Sequence, residues 1–289
     1  MDSGVIFIIL TAATPLLFAA LGELVVERSG VLNLGVEGMM VMGAVSGFGA
    51  ALYTGSPWLG LLAAIAAGMV MSLLFGVLTL TLVSNQVATG LALTLLGLGL
   101  SGQIGEAFVG QPGVKLPSIA GIDPLIPFAV VLTAAVSWFL FRTKWGLVVR
   151  AVGDSHASAH ALGYDVIKVR YACVLFGGAC SGIAGGYLSL VYTPQWIENM
   201  TSGRGWIALA LVVFASWLPW RVLLGAYLFG TISILSFVVQ TKGWGIPAQF
   251  LNSLPYLVTI AVLVIISGNR VMMRKNTPAS LGRPFVPDR

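Results

Sequence analysis

Long apolar runs alternate with short polar stretches along the chain, and this pattern predicts a helical membrane protein. A helix needs about 20 predominantly apolar residues to cross the hydrocarbon core of a bilayer. The run at 204–218 is short, and polar residues interrupt those at 31–53 and 87–109, so we expect these three helices to be broken or partly re-entrant. The apolar runs are 5–22, 31–53, 58–83, 87–109, 125–141, 171–192, 204–218, 221–240 and 246–267.

Composition makes lipid the main solvent of this chain. Of its 289 residues, 57% are hydrophobic and 9% are charged, whereas soluble domains carry about 25% charged residues. We therefore predict an all-α, polytopic transmembrane bundle of about nine spans, some of them interrupted. It forms a single transmembrane domain, 1–289, that includes a cytoplasmic loop at 142–170 and a basic tail at 268–289.

The basic residues orient the bundle. With the N-terminus outside and the C-terminus inside, twelve of the 15 Lys and Arg residues lie on the cytoplasmic side, as the positive-inside rule requires. The net charge of +5 therefore does not indicate a nucleic-acid partner. We expect the tail to be solvated, loosely ordered and attracted to anionic membrane lipid.

Motifs for catalysis are missing from the sequence. No Gly-Lys dipeptide occurs, so the chain has no P-loop, and "GLGLSG" lies inside an apolar run rather than after a strand. His156 and His160 have a spacing that suits a metal, but no Cys or third His lies nearby. We expect no enzyme activity, no bound metal and no cofactor on this chain.

Polar residues at membrane depth are the candidate pathway residues. Asn33 and Glu37 are four residues apart in "ERSGVLNLGVEGMMVMGA" and would share one face of a helix. They either sit at the inner interface, satisfied by Arg28 or water, or line a solute pathway. The fourth apolar run adds the further candidates Asn85, Gln86, Thr89 and Gln103.

Two glycine features indicate how the helices are arranged. "SGVLNLGVEGMMVM" enters from inside and "SGRGWIALALVVF" enters from outside, a pattern typical of inverted repeats with a central binding region. Gly178, Gly182 and Gly186 recur every four residues along one face. That stripe favours close helix packing over a pathway lining.

The cytoplasmic loop 142–170 contains one short predicted helix, "SHASAHAL", capped by Asp154 and ended by Gly163. Two turns of helix are unstable alone in water. The rest of the protein or a partner must therefore hold this helix in place.

Three blocks of the sequence resemble a known family, the permease subunits of bacterial ATP-binding cassette (ABC) importers for branched-chain amino acids, simple sugars and nucleosides. They are "ERSGVLNLGVEGMMVMGA", "WGLVVRAVGDSHASAHALGYDVIKVR" and "SGRGWIALALVVFASWLPWRVLLGAYLFG". The first is most similar to the nucleoside-type branch. The second resembles the loop whose short helix docks into the ATPase, which implies a coupling role for Arg150, Gly153, Asp154, His156, Ala159, His160, Leu162 and Gly163.

The resemblance implies an assembly in the bacterial inner membrane. The assembly would contain this permease, a second permease that is a different paralogue, and an external solute-binding protein or lipoprotein. Two ATPase subunits, which bind ATP and Mg, would drive transport. Nucleosides are the expected solute, and simple sugars or branched-chain amino acids are the alternative. An ion-coupled secondary transporter is a further alternative, because Glu37 and Glu106 could serve a proton relay.

Overall fold

A computed structural model describes residues 3–119, 121–241, 247–267 and 276–286. Helices form nearly all of the regular structure in these residues, joined by short turns and one longer segment at 106–124. The helices are α1 Ser3–Arg28, α2 Val36–Thr54, α3 Pro57–Gly76, α4 Gln86–Gly105, α5 Leu125–Arg142, α6 Lys144–Asp154, α7 His156–Ala161, α8 Val166–Tyr187, α9 Arg204–Phe214, α10 Pro219–Thr241 and α11 Ala248–Ser267.

Seven helices in the described part of the chain are long and apolar enough to cross a membrane, so this is a multi-pass membrane protein. Each of the nine predicted runs corresponds to one helix. α9, with 11 residues, is too short to span alone, as its apolar run indicated. The count of nine spans and the orientation of the ends stay predictions.

A seam of glycines joins α2, α3 and α8 at the centre of the bundle. A Cβ atom on Gly43 would lie 2.7 Å from the carbonyl oxygen of Gly182, and one on Gly178 would overlap Ser72 and Gly68 of α3. The absence of side chains lets the three backbones approach closely, which is how membrane helices gain packing energy without a hydrophobic driving force. The predicted packing role of the stripe Gly178, Gly182 and Gly186 is confirmed.

Two expectations about the helices are corrected. The interruption expected within 87–109 is wrong, because α4 runs unbroken from Gln86 and its polar residues Asn85 and Gln103 lie at or near its ends. α3 and α8 instead end in π-helical turns, Val77–Thr81 and Leu188–Tyr192. The loop 142–170 holds two helices, α6 and α7, rather than one.

The cap of α7 also differs from the expectation. Asp154 is the last residue of α6, and the Ser155 side chain accepts the hydrogen bond from the Ser158 backbone N–H at 3.3 Å. A serine directly before the helix is the better cap because the cap must precede the first helical residue. Gly163, with φ +86°, ends the α7 region as predicted.

Candidate functional site

The starts of α2 and of the short helix α9 meet at Glu37. Its carboxylate accepts hydrogen bonds from the Thr201 hydroxyl at 2.5 Å, the Gly203 N–H at 2.8 Å and the Gly205 N–H at 2.5 Å. The two amides belong to the first turn of α9, where helical N–H groups have no partner within the helix. Glu37 also lies in the first turn of α2, so one negative charge faces the positive ends of two helices.

The contacts of α2 with α4 place Glu37 at mid-height in the bundle. A Cβ on Gly38 would touch Leu93 and Thr94, and one on Gly97 would touch Gly38. Gly97 is roughly 15 Å along α4 at about 1.5 Å per residue, close to the middle of a spanning helix. Glu37 itself is 2% exposed. The expectation that Arg28 or water is the partner of Glu37 is wrong, because Thr201, Gly203 and Gly205 take that place. The depth of Glu37 in the membrane stays a prediction.

The unwound segment before α2, Gly30–Gly35, finds partners for its backbone on the neighbouring helices. Gln86 accepts from the Leu32 N–H at 2.8 Å, Glu23 accepts from the Asn33 N–H at 3.2 Å, and the Thr94 hydroxyl donates to the Leu34 carbonyl at 3.0 Å. Backbone at this depth must be paired inside the protein. These three side chains are what permits the break.

Asn33 belongs to this unwound segment and not to a helix. Its side-chain oxygen accepts from the Gly35 N–H at 2.9 Å, and the residue is 1% exposed. The expected helix face shared by Asn33 and Glu37 is therefore wrong, because α2 begins only at Val36. Asn33 instead lies in the segment that leads into α2, and Glu37 lies in the first turn of α2.

The remaining pathway candidates divide between two sides of α4. Asn85 and Gln103 are exposed, and Thr89 is partly exposed, whereas Gln86 is 4% exposed and turned toward the Gly30–Gly35 segment. Asn85 also caps α4 by accepting from the Ala88 N–H at 3.0 Å. The role of all six candidates in a solute pathway stays a prediction.

A second polar cluster, at the C-terminal end of α1, was missed by sequence analysis. The Trp217 indole N–H donates to Glu27, and Arg28 donates to the Trp217 carbonyl at 2.8 and 3.2 Å. Glu23, one turn earlier, has one oxygen without a hydrogen-bond partner in the described structure. The sequence signal was available, because two carboxylates four residues apart in an apolar helix need partners.

The coupling residues suggested by the resemblance lie together at the end of the bundle formed by α6 and α7. Ala159 is 2% exposed and packs with Val148, Val152 and Val166, so α7 is seated on α6 and α8. His160, Leu162 and Gly163 are exposed, while Gly153 is buried against Arg28 and Gly30. Arg150 lies over the Phe141 ring at 5.1 Å, and Asp154 is exposed.

His156 is partly exposed and lies beside Arg170. The pKa of His156 is lowered from its ordinary value by partial burial and by the nearby positive charges of Arg170 and Arg283. Its Nδ1 lies 3.5 Å from an Arg170 amino group. The neutral ring is therefore the favoured form, with Nδ1 as the acceptor.

The described residues 276–286 correct the expectation of a loosely ordered tail for this part of it. The rest of the predicted tail, 268–275 and 287–289, lies outside the described residues. Ser280 is 5% exposed, and its N–H donates to the Gly153 carbonyl at 2.8 Å. The Phe285 ring centroid lies 5.3 Å from each imidazole of His156 and His160. The contacts are largely made by backbone atoms, which composition does not reveal.

Comparisons with known proteins identify a matching family and several relatives. Residues 5–267 match the family described as "Branched-chain amino acid transport system / permease component". TsgC13 of Haloferax volcanii, provisionally named a glucose ABC transporter permease, is 40% identical over 90% of this chain and 91% of its own.

Two bacterial relatives are named for nucleosides. The guanosine ABC transporter permease NupQ of Bacillus subtilis is 32% identical, over 96% of this chain and 94% of its own. The nucleoside ABC transporter permease NupC of Lactococcus lactis is 30% identical over 90% of both chains. No solved structure matches the chain.

Proposed function

Since the chain belongs to the family of branched-chain amino acid transport system permease components, and is thus an ABC permease, we propose that it carries nucleosides into the cell across the bacterial inner membrane. Its 1–289 chain acts as a single transmembrane domain without an ATPase motif of its own. Its relatives named for guanosine and nucleosides support this solute class.

The observation that carries the choice of solute is the pairing of Glu37. All three hydrogen bonds to its carboxylate come from within the protein, so its charge already stabilises the starts of α2 and α9. Glu37 therefore offers the solute pathway no spare carboxylate for a cationic amino group, and the other pathway candidates carry amide or hydroxyl groups. That favours an uncharged polar solute such as a nucleoside over a zwitterionic amino acid.

A sugar is the second candidate because TsgC13, named for glucose, is the relative with 40% identity. Sugars are also uncharged and rich in hydroxyl groups, so the same pairing of Glu37 suits them. The two solute classes differ in the flat aromatic base, which needs apolar surface as well as hydrogen-bonding groups. Direct competition between nucleosides and sugars for uptake therefore decides between them.

The solute path runs along the face of α4 that this chain leaves uncovered. Asn85, Gly99 and Gln103 are exposed there, and a Cβ on Gly99 would meet nothing within 4 Å. Small and polar residues on one helix face suit a protein interface better than lipid. A second permease subunit of a different paralogue covers this face, and the solute passes between the two.

Energy comes from partner subunits. Two copies of an ATPase, which bind ATP and Mg, drive the complex, and one of them docks at α7 of this chain. An external binding protein delivers the solute to the outer loops. α7 is seated through Ala159 and leaves His160, Leu162 and Gly163 exposed for the partner. A helix of six residues needs support on both sides to keep its shape.

Uptake by the assembled complex tests this function. Proteoliposomes that contain both permeases and the ATPase receive binding protein with labelled guanosine, glucose or leucine, with internal ATP or a non-hydrolysable analogue. We expect ATP-dependent accumulation of guanosine, inhibited by other nucleosides and not by leucine. Preferred uptake of glucose would show that the solute is a sugar and not a nucleoside. Accumulation by this chain alone on an ion gradient would refute the function.

A further inference from the structure

The C-terminal residues Asn276–Val286, here termed the strap, tie two cytoplasmic elements together through main-chain hydrogen bonds. On one side, the Ser280 N–H donates to the Gly153 carbonyl at 2.8 Å and its hydroxyl donates to the Asp154 carbonyl at 3.2 Å. On the other side, the Gly282 N–H donates to the Gly30 carbonyl at 3.1 Å. The strap thus joins the end of α6 to the start of the Gly30–Gly35 segment.

Two buried arginines hold the strap to the membrane helices. Arg28 of α1 donates to the Asn276 carbonyl at 3.1 Å, and Arg170 of α8 donates to the Arg283 carbonyl at 3.1 Å and to the Ser29 carbonyl at 3.2 Å. Arg170 is 1% exposed. A buried guanidinium needs its donors satisfied, so removing the strap would leave both arginines with unpaired N–H groups.

The strap also reaches α7. The Phe285 ring packs beside the cluster of Val148, Val152, Ala159 and Val166 and against both histidine rings of α7. One short stretch of chain therefore contacts the coupling helix at one end and Gly30 near its middle. The Gly30–Gly35 segment then leads to Glu37 and the start of α9.

We propose that the strap, through Phe285 and the main chain of Ser280 and Gly282, is the positioning element that carries a displacement of α7 to the Gly30–Gly35 segment. This inference rests on the proposed function. It requires the strap to move together with the Gly30–Gly35 segment and never to detach during transport. A packed, hydrogen-bonded connection of this kind can carry coupling between distant sites, and the coupling is established only when both ends respond to it.

A disulfide tests whether the strap stays attached. A Cβ on Gly282 would lie 3.9 Å from the Leu32 Cβ, within the disulfide range of about 3.5–4.5 Å. The native Cys173 and Cys180 are buried. In the variant Leu32→Cys with Gly282→Cys, oxidation is expected to change ATP-dependent uptake by less than about twofold relative to the reduced form. Loss of uptake that a reducing agent restores would overturn the inference.

Gly282→Cys alone is the control for that experiment. Gly282 has φ +72°, a conformation that side chains other than glycine adopt with strain. The single variant measures the effect of this strain on uptake. The effect of the cross-link is then the difference between the oxidised and reduced double variant.

Hydrogen exchange tests the connection without transport. In the purified full chain, Phe285→Ala is expected to speed exchange of the amides in Gly30–Gly35 by about tenfold. Arg283→Ala is the matched control, because its side chain is exposed while its carbonyl still binds Arg170. Unchanged exchange in Phe285→Ala, or equal change in both variants, would overturn the inference.

Transport by Phe285→Ala completes the test. We expect the complex to keep its ATPase activity while uptake falls by about tenfold, the signature of uncoupling. Loss of the ATPase from the purified complex would show that the strap is needed to bind the ATPase, and this would overturn the inference. Failure of the unaltered complex to import any of the three solutes would refute the proposed function, whereas the exchange result would still decide the role of the strap.

Discussion

Replacing Glu37 by Gln tests the junction between α2 and α9. The amide keeps one oxygen that can accept from Thr201 and Gly203, but it turns an NH₂ group toward the Gly205 N–H. Two donors then face each other in a buried site. The variant also removes the negative charge from the first turns of two helices.

The magnitude follows from those losses. A hydrogen bond to a charged group contributes about 1.5–3 kcal/mol, and the helix-dipole interaction adds about 0.3–1 kcal/mol. We expect the free energy of local opening at the start of α9 to fall by about 2–4 kcal/mol. At about 1.4 kcal/mol for each tenfold change, exchange of the Gly203 and Gly205 amides should rise about 30- to 700-fold.

Hydrogen-exchange mass spectrometry on a peptide covering 201–207 measures this change. Glu198→Gln is the matched control, because it is the same substitution at an exposed position before the same helix. Exchange in Glu37→Gln that equals wild type, or an equal rise in the control, would refute the role of Glu37 as an anchor for α9. We also expect Glu37→Gln to slow uptake by the assembled complex.

Four further outcomes are expected. Gly182→Ala should destabilise the chain by about 1–3 kcal/mol because its Cβ overlaps the backbone of α3, whereas Gly99→Ala should leave the thermal midpoint in detergent unchanged. Gln86→Leu should lower that midpoint through a loss of about 1–3 kcal/mol, since the buried N–H of the unwound segment loses its acceptor. Ala159→Asp should abolish uptake but preserve membrane insertion and ATPase activity; full uptake would contradict the coupling role. The pKa of His156 is lowered by folding, so its stabilising contribution is complete above pH 6.5 and is lost as pH falls through the lowered value; His156→Gln should reduce the fall in thermal midpoint between pH 7 and 5.

The helices were predictable because each of the long helices is built from one continuous run of apolar residues. The run 125–141 matches α5, Leu125–Arg142, and 171–192 lies within α8 and its π-helical turn. The predicted break in α4 failed because polar residues at helix ends were taken for interruptions. Asn85 caps α4 and therefore favours an intact helix.

The candidate site was predictable in its residues but not in its connections. Asn33 and Glu37 stand out because polar groups at membrane depth are costly. The partners of Glu37 lie more than 160 positions away in the sequence, and no local pattern reveals which helix start a carboxylate will meet. The docked strap was missed for a related reason, since its bonds involve carbonyl and amide groups that every residue carries.

The glycine seam of α2, α3 and α8 limits how this protein can change shape. Where two backbones touch directly, as Gly43 and Gly182 do, there are no side chains that could repack to let one helix slide along the other. These three helices should therefore rotate or tilt as one rigid body. Spin labels placed on any two of them would report a constant separation through the whole ATP cycle.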